Sequence, residues 1–589
     1  MSNSPRDPTL APRIVSGPFA RRGGGSRLWW YAASVATLVA LGFVGGAAPA
    51  PTSGATFAQS PLWQTTWTSP MDLANGVAWN ATVRDVATVA EGGNAIEITL
   101  SNLWSNTPTR FNAATVGVSK SGVSEVPGTI VPVTFNGGSR SVVVAAHSRV
   151  TSDPIPIAVQ PRETLAVSVW VAGPATVSVH YCCYGRIDSY TTADGSGNLT
   201  NSYTGYGFDP ALTGPNMRWL SRIAVRGSPA QGTVVAFGDS ITDGFGYLNN
   251  GFSWVNALQA RIDQLAPSNQ VSVVNEGIAG NTLTVFPPRT SYEDISGGLP
   301  GVSRIGPDAL SLAGVRDVIL FLGTNDIWFG AGGEAGHPIP PYGTAPALEA
   351  AMRQIISVTH AHGLKIFAVT LLPRSSSAAS GGERAELWDP AEQAVLSAVN
   401  TWMLSPGAGF DGVINAAAVM GDVYDGACQP NVPFAPYFNS DHLHPNVVGQ
   451  TVLANTISTA AFGLPQAPLL PAPLAVTPTA NCPAATVAEG VLAQARVPGT
   501  TTTTTSTTTT TQPPTTTTQP AGLFTGIHQS DFVLGAILVI AAGLIAAIWR
   551  RRAVRRRAAR RRNQRRIGSY GYPKSPRSGP PSSRPPRPR

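Results

Sequence analysis

Residues 234–244, VVAFGDSITDG, set the strictest limit on how this 589-residue chain can fold. Val234, Val235, Ala236 and Phe237 form an apolar run with no polar interruption, which suits a strand covered on both faces, as in a parallel sheet. The run stops at Gly238, Asp239 and Ser240. Glycine lets the backbone turn, and Ser240 is delivered at the carboxyl end of the strand, where open α/β sheets place their ligands. Taken singly, the GDS triplet is also what an ordinary turn with a capping serine gives.

The surrounding pattern fits such a sheet. Beyond Arg226, helical periodicity appears around 254–265, 348–362, 391–403 and 447–461, and apolar strands at 271–274, 318–322, 366–372 and, more briefly, 412–414. Strands and helices in alternation predict an α/β domain with a parallel sheet between helices. Residues 62–226 read differently, as short segments broken by Gly, Pro, Asn and Ser. IEITL (96–100), LAVSV (165–169) and VSVHY (177–181) alternate apolar with polar or small residues, as half-buried strands do. This half is expected to be an all-β sandwich or jelly-roll.

Three later stretches follow the serine in chain order. GIAGN (277–281) brings Gly280 and Asn281, GTND (323–326) brings Asn325 and Asp326, and DHLHPN (441–446) brings Asp441, His442 and His444. With these residues the chain resembles the SGNH (GDSL) hydrolase family, whose motif blocks contribute Ser, Gly, Asn and a DxxH pair. The resemblance covers roughly 231–464 and implies a three-layer, flavodoxin-like hydrolase domain acting on carboxylic esters. TTWTSP (65–70), LSN (100–102) and SDPIPI (152–157) are similar to the β-rich domain preceding the catalytic domain in a secreted bacterial branch of that family. Neither a GxSxG elbow nor an HExxH motif occurs in the chain.

The chemistry of these residue types agrees with the resemblance. A serine hydroxyl needs a base to remove its proton, and the base must be held in one tautomer. His444 is the expected base for Ser240, and Asp441, three residues earlier, is placed to reach the far ring nitrogen. His442, adjacent to Asp441, is expected to project elsewhere. By resemblance the oxyanion donors are the backbone N–H groups of Ser240 and Gly280 and the side-chain amide of Asn325. Asp239 and Asp326 are expected to hold turn backbone, while Asn281 is open to either role. No metal or cofactor is implied. His180 stands alone without partner spacing and reads as a structural or solvated histidine. His360 and His362 read as solvated or helix-capping. Tyr181, Tyr184, Tyr190, Tyr203 and Tyr206 suit packing and loops more than sugar stacking.

Charge bears on partners. The formal net charge is +8, yet residues 1–27 hold five Arg and one Asp, and residues 550–589 hold sixteen Lys or Arg and no acid. The remainder carries 19 bases against 31 acids, a net charge of −12. An acidic body with basic ends argues against a nucleic-acid partner. Residues 28–44, preceded by Arg21, Arg22 and Arg27, read as the apolar core of an export signal within 1–58, with an uncleaved anchor as the alternative. Residues 532–549 are uncharged, about 27 Å of helix, enough to cross a bilayer core. Arginines follow at once, the mark of a stop-transfer segment with positive charge inside.

The expected organisation is therefore a signal in 1–58, a β domain in 59–228 and a hydrolase domain in 229–466. A Thr/Pro-rich linker in 467–520, a transmembrane helix in 531–549 and a disordered basic tail in 550–589 follow. The catalytic domain is placed outside the cell on a single-pass anchor. Of four cysteines, Cys428 and Cys482 suit a staple between the hydrolase domain and its tail, whereas adjacent Cys182 and Cys183 would point apart in a strand. The expected partner is an ester substrate, acylated extracellular polysaccharide before lipid or small esters. A surface binding or adhesion protein on a non-catalytic hydrolase scaffold is the alternative from another class.

Overall fold

The computed structural model describes residues 63–181, 189–209, 216–246, 252–284, 297–330, 343–377, 388–471, 474–488 and 491, all within one compact unit spanning 1–501. Its amino-terminal half is strand-rich and antiparallel throughout. One sheet runs in the order Trp63–Thr68, Leu220–Arg226, Ala95–Ser101, Arg149–Thr151. A second is centred on Thr164–Val171, flanked by Ala81–Thr88 and Ala113–Ser121. A third joins Met217–Arg218, Ala175–His180 and Leu73–Ala78.

The alternation read in LAVSV predicted one wet face, but Leu165, Ala166, Val167, Ser168 and Val169 are all buried. Polar bonding explains the second dry face. Arg84 donates to Ser168 Oγ (2.7 Å), pairs with buried Glu125 (2.7 Å) and lies under the Phe208 ring. Small and hydroxylated residues thus sit beneath a buried arginine and its partner rather than in water.

The second half is the expected α/β domain. Five parallel strands are ordered Ser272–Gly277, Thr233–Gly238, Val315–Phe321, Lys365–Val369, Gly412–Ile414, that is 2-1-3-4-5 in chain order. Side-chain alternation divides each strand between two cores. Val234, Ala236, Ile319, Phe321 and Phe367 face the helices Trp254–Ile262 and Val447–Asn455. Val235, Phe237, Val318, Leu320 and Ile366 face Ala345–Ala361 and Pro390–Met403. Each such buried Val, Leu or Phe contributes about 1.5–3 kcal/mol. That double burial is why the apolar runs lack polar interruption.

The two halves are bonded together. Thr65 N–H donates to Ala313 O (2.8 Å) and Thr233 Oγ1 donates to Thr65 O (2.8 Å). Arg149 pairs with Asp308 at 2.6 Å. The described part of 467–488, expected to belong to a linker, is packed on the hydrolase domain. Ala467 is buried, Cys482, Ala485 and Ala488 are part of the hydrolase core, Asp425 N–H donates to Thr477 O, and Cys428 is disulfide-bonded to Cys482. Pro- and Ala-rich composition disguised a segment held by backbone bonds and a cross-link. The expected signal, the Thr-rich stretch, the span 532–549, the basic tail, Cys182, Cys183 and Tyr184 lie outside the described residues. Among the described residues, no helix is long and apolar enough to cross a membrane.

Candidate active site

Ser240 opens the four-residue helix Ser240–Asp243 directly after the central strand Thr233–Gly238. The turn is tight because Gly238 has no side chain: a Cβ there would collide with Thr242 Oγ1 and approach Phe321 O to 3.0 Å. Asp239 caps the helix, its carboxyl accepting from Ile241 N–H at 3.0 Å. Burial pushes that carboxyl up to about 7, against the lowering effect of the Ile241 bond. The helix ends at Gly244, φ 103°, a left-handed conformation that glycine adopts without strain.

The histidine arrives from the far end of the domain. Asn439 N–H and side chain both donate to His444 O (2.9 and 3.0 Å), and Asn446 caps the helix Val447–Asn455 by accepting from Gly449 N–H (3.0 Å). From that helix, buried Gln450 donates to Ile241 O (3.1 Å) and accepts from Trp254 N–H (2.8 Å). One glutamine thereby ties the histidine's helix to the serine's turn.

Across this junction, Ser240 Oγ lies 2.8 Å from His444 Nε2, and His444 Nδ1 lies 2.6 Å from Asp441 Oδ2. A carboxylate facing Nδ1 fixes the proton there and leaves Nε2 to accept from the serine hydroxyl. Asp441 Oδ1 also accepts from the backbone N–H groups of Leu443 and His444, each at 3.0 Å. Burial alone would raise its pKa, but His444 and these bonds outweigh it and hold the carboxyl at about 2. Phe245 covers the imidazole with ring centroids 4.6 Å apart. His442 has φ 56° and turns away, its Nδ1 3.1 Å from both Ser375 Oγ and Ser376 O.

Gly280 and Asn325 reach the same edge from neighbouring strands. Gly238 is in register with Gly277 on one side and Phe321 on the other, so Ser240, Gly280 and Asn325 follow three adjacent strand ends. Gly280 has φ 72°. Asn325 Nδ2 donates to Asn281 O at 2.9 Å, joining the two loops. Asp326 accepts from Leu283 N–H (2.7 Å), Thr284 N–H (2.8 Å) and Thr284 Oγ1 (2.6 Å). Asn281 is a strut: its amide donates to Gly297 O and Leu299 O and accepts from Arg304 Nε (2.9 Å).

Arg304 escaped the sequence reading. Buried over the Phe237 ring, it also donates to Glu276 O (2.9 Å) and Gly238 O (2.8 Å), clamping the ends of both strands. An arginine in a short helix carries no local signal of such a role. His180 was read without a partner, yet it is buried against Asp243 of the serine's helix. His360 meets Asp411 at 2.9 Å, and His362 reaches Val358 O at 2.7 Å at its helix end. Among the described residues, no group of three or more His, Cys, Asp or Glu is arranged to hold a metal ion.

Residues 236–452 match the profile of the GDSL-like lipase/acylhydrolase family. No curated protein matches the chain. Similar solved structures include a G-D-S-L family protein from Desulfitobacterium hafniense DCB-2, 19% identical over 39% of this chain and 99% of that one, TM-score 0.26. An acetylxylan esterase from Geobacillus stearothermophilus is 18% identical over 39% of this chain and 94% of its own, TM-score 0.27. The aryl esterase of M. smegmatis is 18% identical over 39% and 99%, TM-score 0.27. By the profile match and the motif blocks it spans, the parallel-sheet domain of this chain belongs to the SGNH (GDSL) hydrolase family of carboxylic ester hydrolases.

Proposed function

We propose that the protein is a cell-surface serine esterase that removes O-acyl groups from extracellular glycans through an acyl-enzyme. The observation that carries the reading is the unbroken line Asp441–His444–Ser240, at 2.6 and 2.8 Å. His444 Nε2 takes the Ser240 proton as Oγ attacks the ester carbonyl. The negative oxygen of the tetrahedral intermediate is stabilised by the N–H groups of Ser240 and Gly280 and by the Asn325 amide, which has two N–H donors and spends one on Asn281 O. On collapse, His444 returns the proton to the departing alcohol. Water then attacks the acyl-serine, giving its proton to His444, and the acid leaves as Ser240 is reprotonated. The strand order 2-1-3-4-5 supports a flavodoxin-like reading of the domain, with Ser240 beside the switch point. The antiparallel sheets of the other half support the sandwich or jelly-roll reading.

Sequence and cross-linking together support the cell-surface location. An apolar stretch at 28–44 behind arginines, an uncharged stretch at 532–549 and the basic residues after it support a catalytic domain outside the cell. The Cys428–Cys482 disulfide suits an oxidising compartment. A Thr-rich spacer of up to ~70 Å would hold the domain away from the bilayer, toward glycans before lipids. The test is an ester panel of acetylated oligosaccharides and aryl esters of varied acyl length, run on membranes bearing the full chain and its Ser240→Ala variant. Acetylated sugars should be preferred and Ser240→Ala silent. Turnover surviving in Ser240→Ala would sink the serine mechanism, and preference for long acyl chains would sink the glycan assignment.

A further inference from the structure

We propose that His180, a residue of the β-rich half, is a positioning residue that braces the Ser240 turn from behind through a buried ion pair with Asp243. This rests on the esterase reading only in naming Ser240 as the group positioned. The bonding pattern sets the charge. His180 Nδ1 lies 2.7 Å from Pro70 O, and a carbonyl only accepts, so Nδ1 carries a proton. Nε2 lies 3.1 Å from Asp243 Oδ1, and a second ring proton, on Nε2, closes that contact as a bond donated to the carboxyl oxygen. The ring is an imidazolium, 4% exposed, and its counter-ion is on the other half of the molecule.

Burial alone would lower the histidine's pKa, yet the Asp243 charge and bond, with Asp72 and the Pro70 carbonyl, leave it raised. Two further titratable groups lie beside the pair. Asp72, ahead of strand Leu73–Ala78, is fully buried, accepts from Tyr181 N–H at 2.9 Å, and is pushed by burial up to about 7. Arg162 lines the same small cavity as His180 and Asp243.

Geometry makes Asp243 an effective lever. It is the last residue of the helix that Ser240 begins, with Asp243 N–H on Asp239 O (2.9 Å) and Gly244 N–H on Ser240 O (3.0 Å). A helix of one turn cannot hold itself. Its support is external. Asn275 Nδ2 donates to Thr242 O (2.8 Å), and Thr68 of the β-rich half donates to Asn275 O (2.8 Å). A Cβ on Gly277 would strike Asp243 N, so turn and strand are in direct contact. Releasing Asp243 therefore frees the segment that aims the Ser240 hydroxyl, without touching the substrate.

The test uses the full chain and the variants His180→Ala and His180→Gln, with kcat and KM for an aryl ester over pH 6–9.5 and amide exchange of residues 239–246. In His180→Ala, kcat should fall about 10- to 100-fold with KM within about twofold. Exchange at 240–245 should quicken at least tenfold while strand Thr164–Val171 stays protected. His180→Gln keeps an N–H where Nε2 lies but no charge, and should recover most of kcat. The wild-type rate should decline as pH rises through the histidine's raised pKa, since deprotonation breaks the pair, and His180→Gln should lack that decline. Unchanged kcat and exchange in His180→Ala, a level wild-type profile, or an alkaline decline retained in His180→Gln would each overturn the proposal. If His180→Ala does not fold, the profile and exchange of His180→Gln decide alone. An inactive wild type whose turn still loosens on substitution would defeat the esterase reading and leave the brace standing.

Discussion

Replacing Asp441 with asparagine tests the candidate site most sharply, because the change is isosteric and its consequences are readable atom by atom. An asparagine can keep the two backbone bonds from Leu443 and His444 on its oxygen, but it sets an NH2 group against His444 Nδ1. Nδ1 must then accept, the ring proton moves to Nε2, and Nε2 meets Ser240 Oγ as a donor with no capacity to take its proton. The expected loss in kcat is about 10⁴, the size of the same change in the Ser-His-Asp template. Stability should fall as well. The folded carboxyl sits at about 2 against an ordinary 3.8, a depression worth roughly 2 kcal/mol. Because the folded value is the lower one, that stabilisation is complete above about pH 4 and is lost as pH falls towards 2. Asp441→Asn should therefore unfold more easily than wild type at pH 7, with the gap closing in acid. Steady-state kinetics on an aryl ester and thermal unfolding at pH 3 and 7 measure both. Activity within tenfold of wild type would refute the tautomer argument.

His444→Ala should cost kcat nearly as much as Ser240→Ala, whereas His442→Ala, whose ring faces Ser375 and Ser376, should stay within about threefold; equal defects would mean a different base. Asn325→Ala should lower kcat roughly 10²–10³-fold with little change in KM, and an effect confined to KM would remove it from the oxyanion site. Burial pushes Asp72, Asp85, Glu91, Glu125 and Asp239 up to about 7 and Glu276 to about 8. The folded protein thus holds protons that the unfolded chain releases above about pH 4, so Tm should fall from pH 5 to pH 8, and a rise would contradict the burial of these groups as acids.

What was legible in the sequence was local. The turn at Ser240, the glycine and asparagine after the next two strands, and the DxxH spacing all announce themselves within a few residues, because backbone reversal and short-range bonding demand particular side chains. The parallel sheet was legible for the same reason, its strands being buried on both faces. The buttresses were not. Arg304 reaches Gly238 across 66 positions and His180 reaches Asp243 across 63, and no periodicity or composition marks such pairs. Residues 467–488 misled because small residues and prolines look alike in a spacer and in a packed arm. Only the Cys428–Cys482 bond and the strap of backbone contacts distinguish them.

The pairing of the first described strand with the last strand of the β-rich half also sets an order of events during synthesis. Trp63–Thr68 lies against Leu220–Arg226, partners roughly 160 positions apart, so this sheet has no neighbour for its leading edge until nearly the whole half has been synthesised. Its closure is immediately followed by emergence of Thr233 and the serine's strand, which bonds back to Thr65. The seat for the Ser240 turn is thus completed only moments before the turn itself appears. Proteolytic trimming past Thr65, even far from the catalytic groups, would remove the strand on which both events depend.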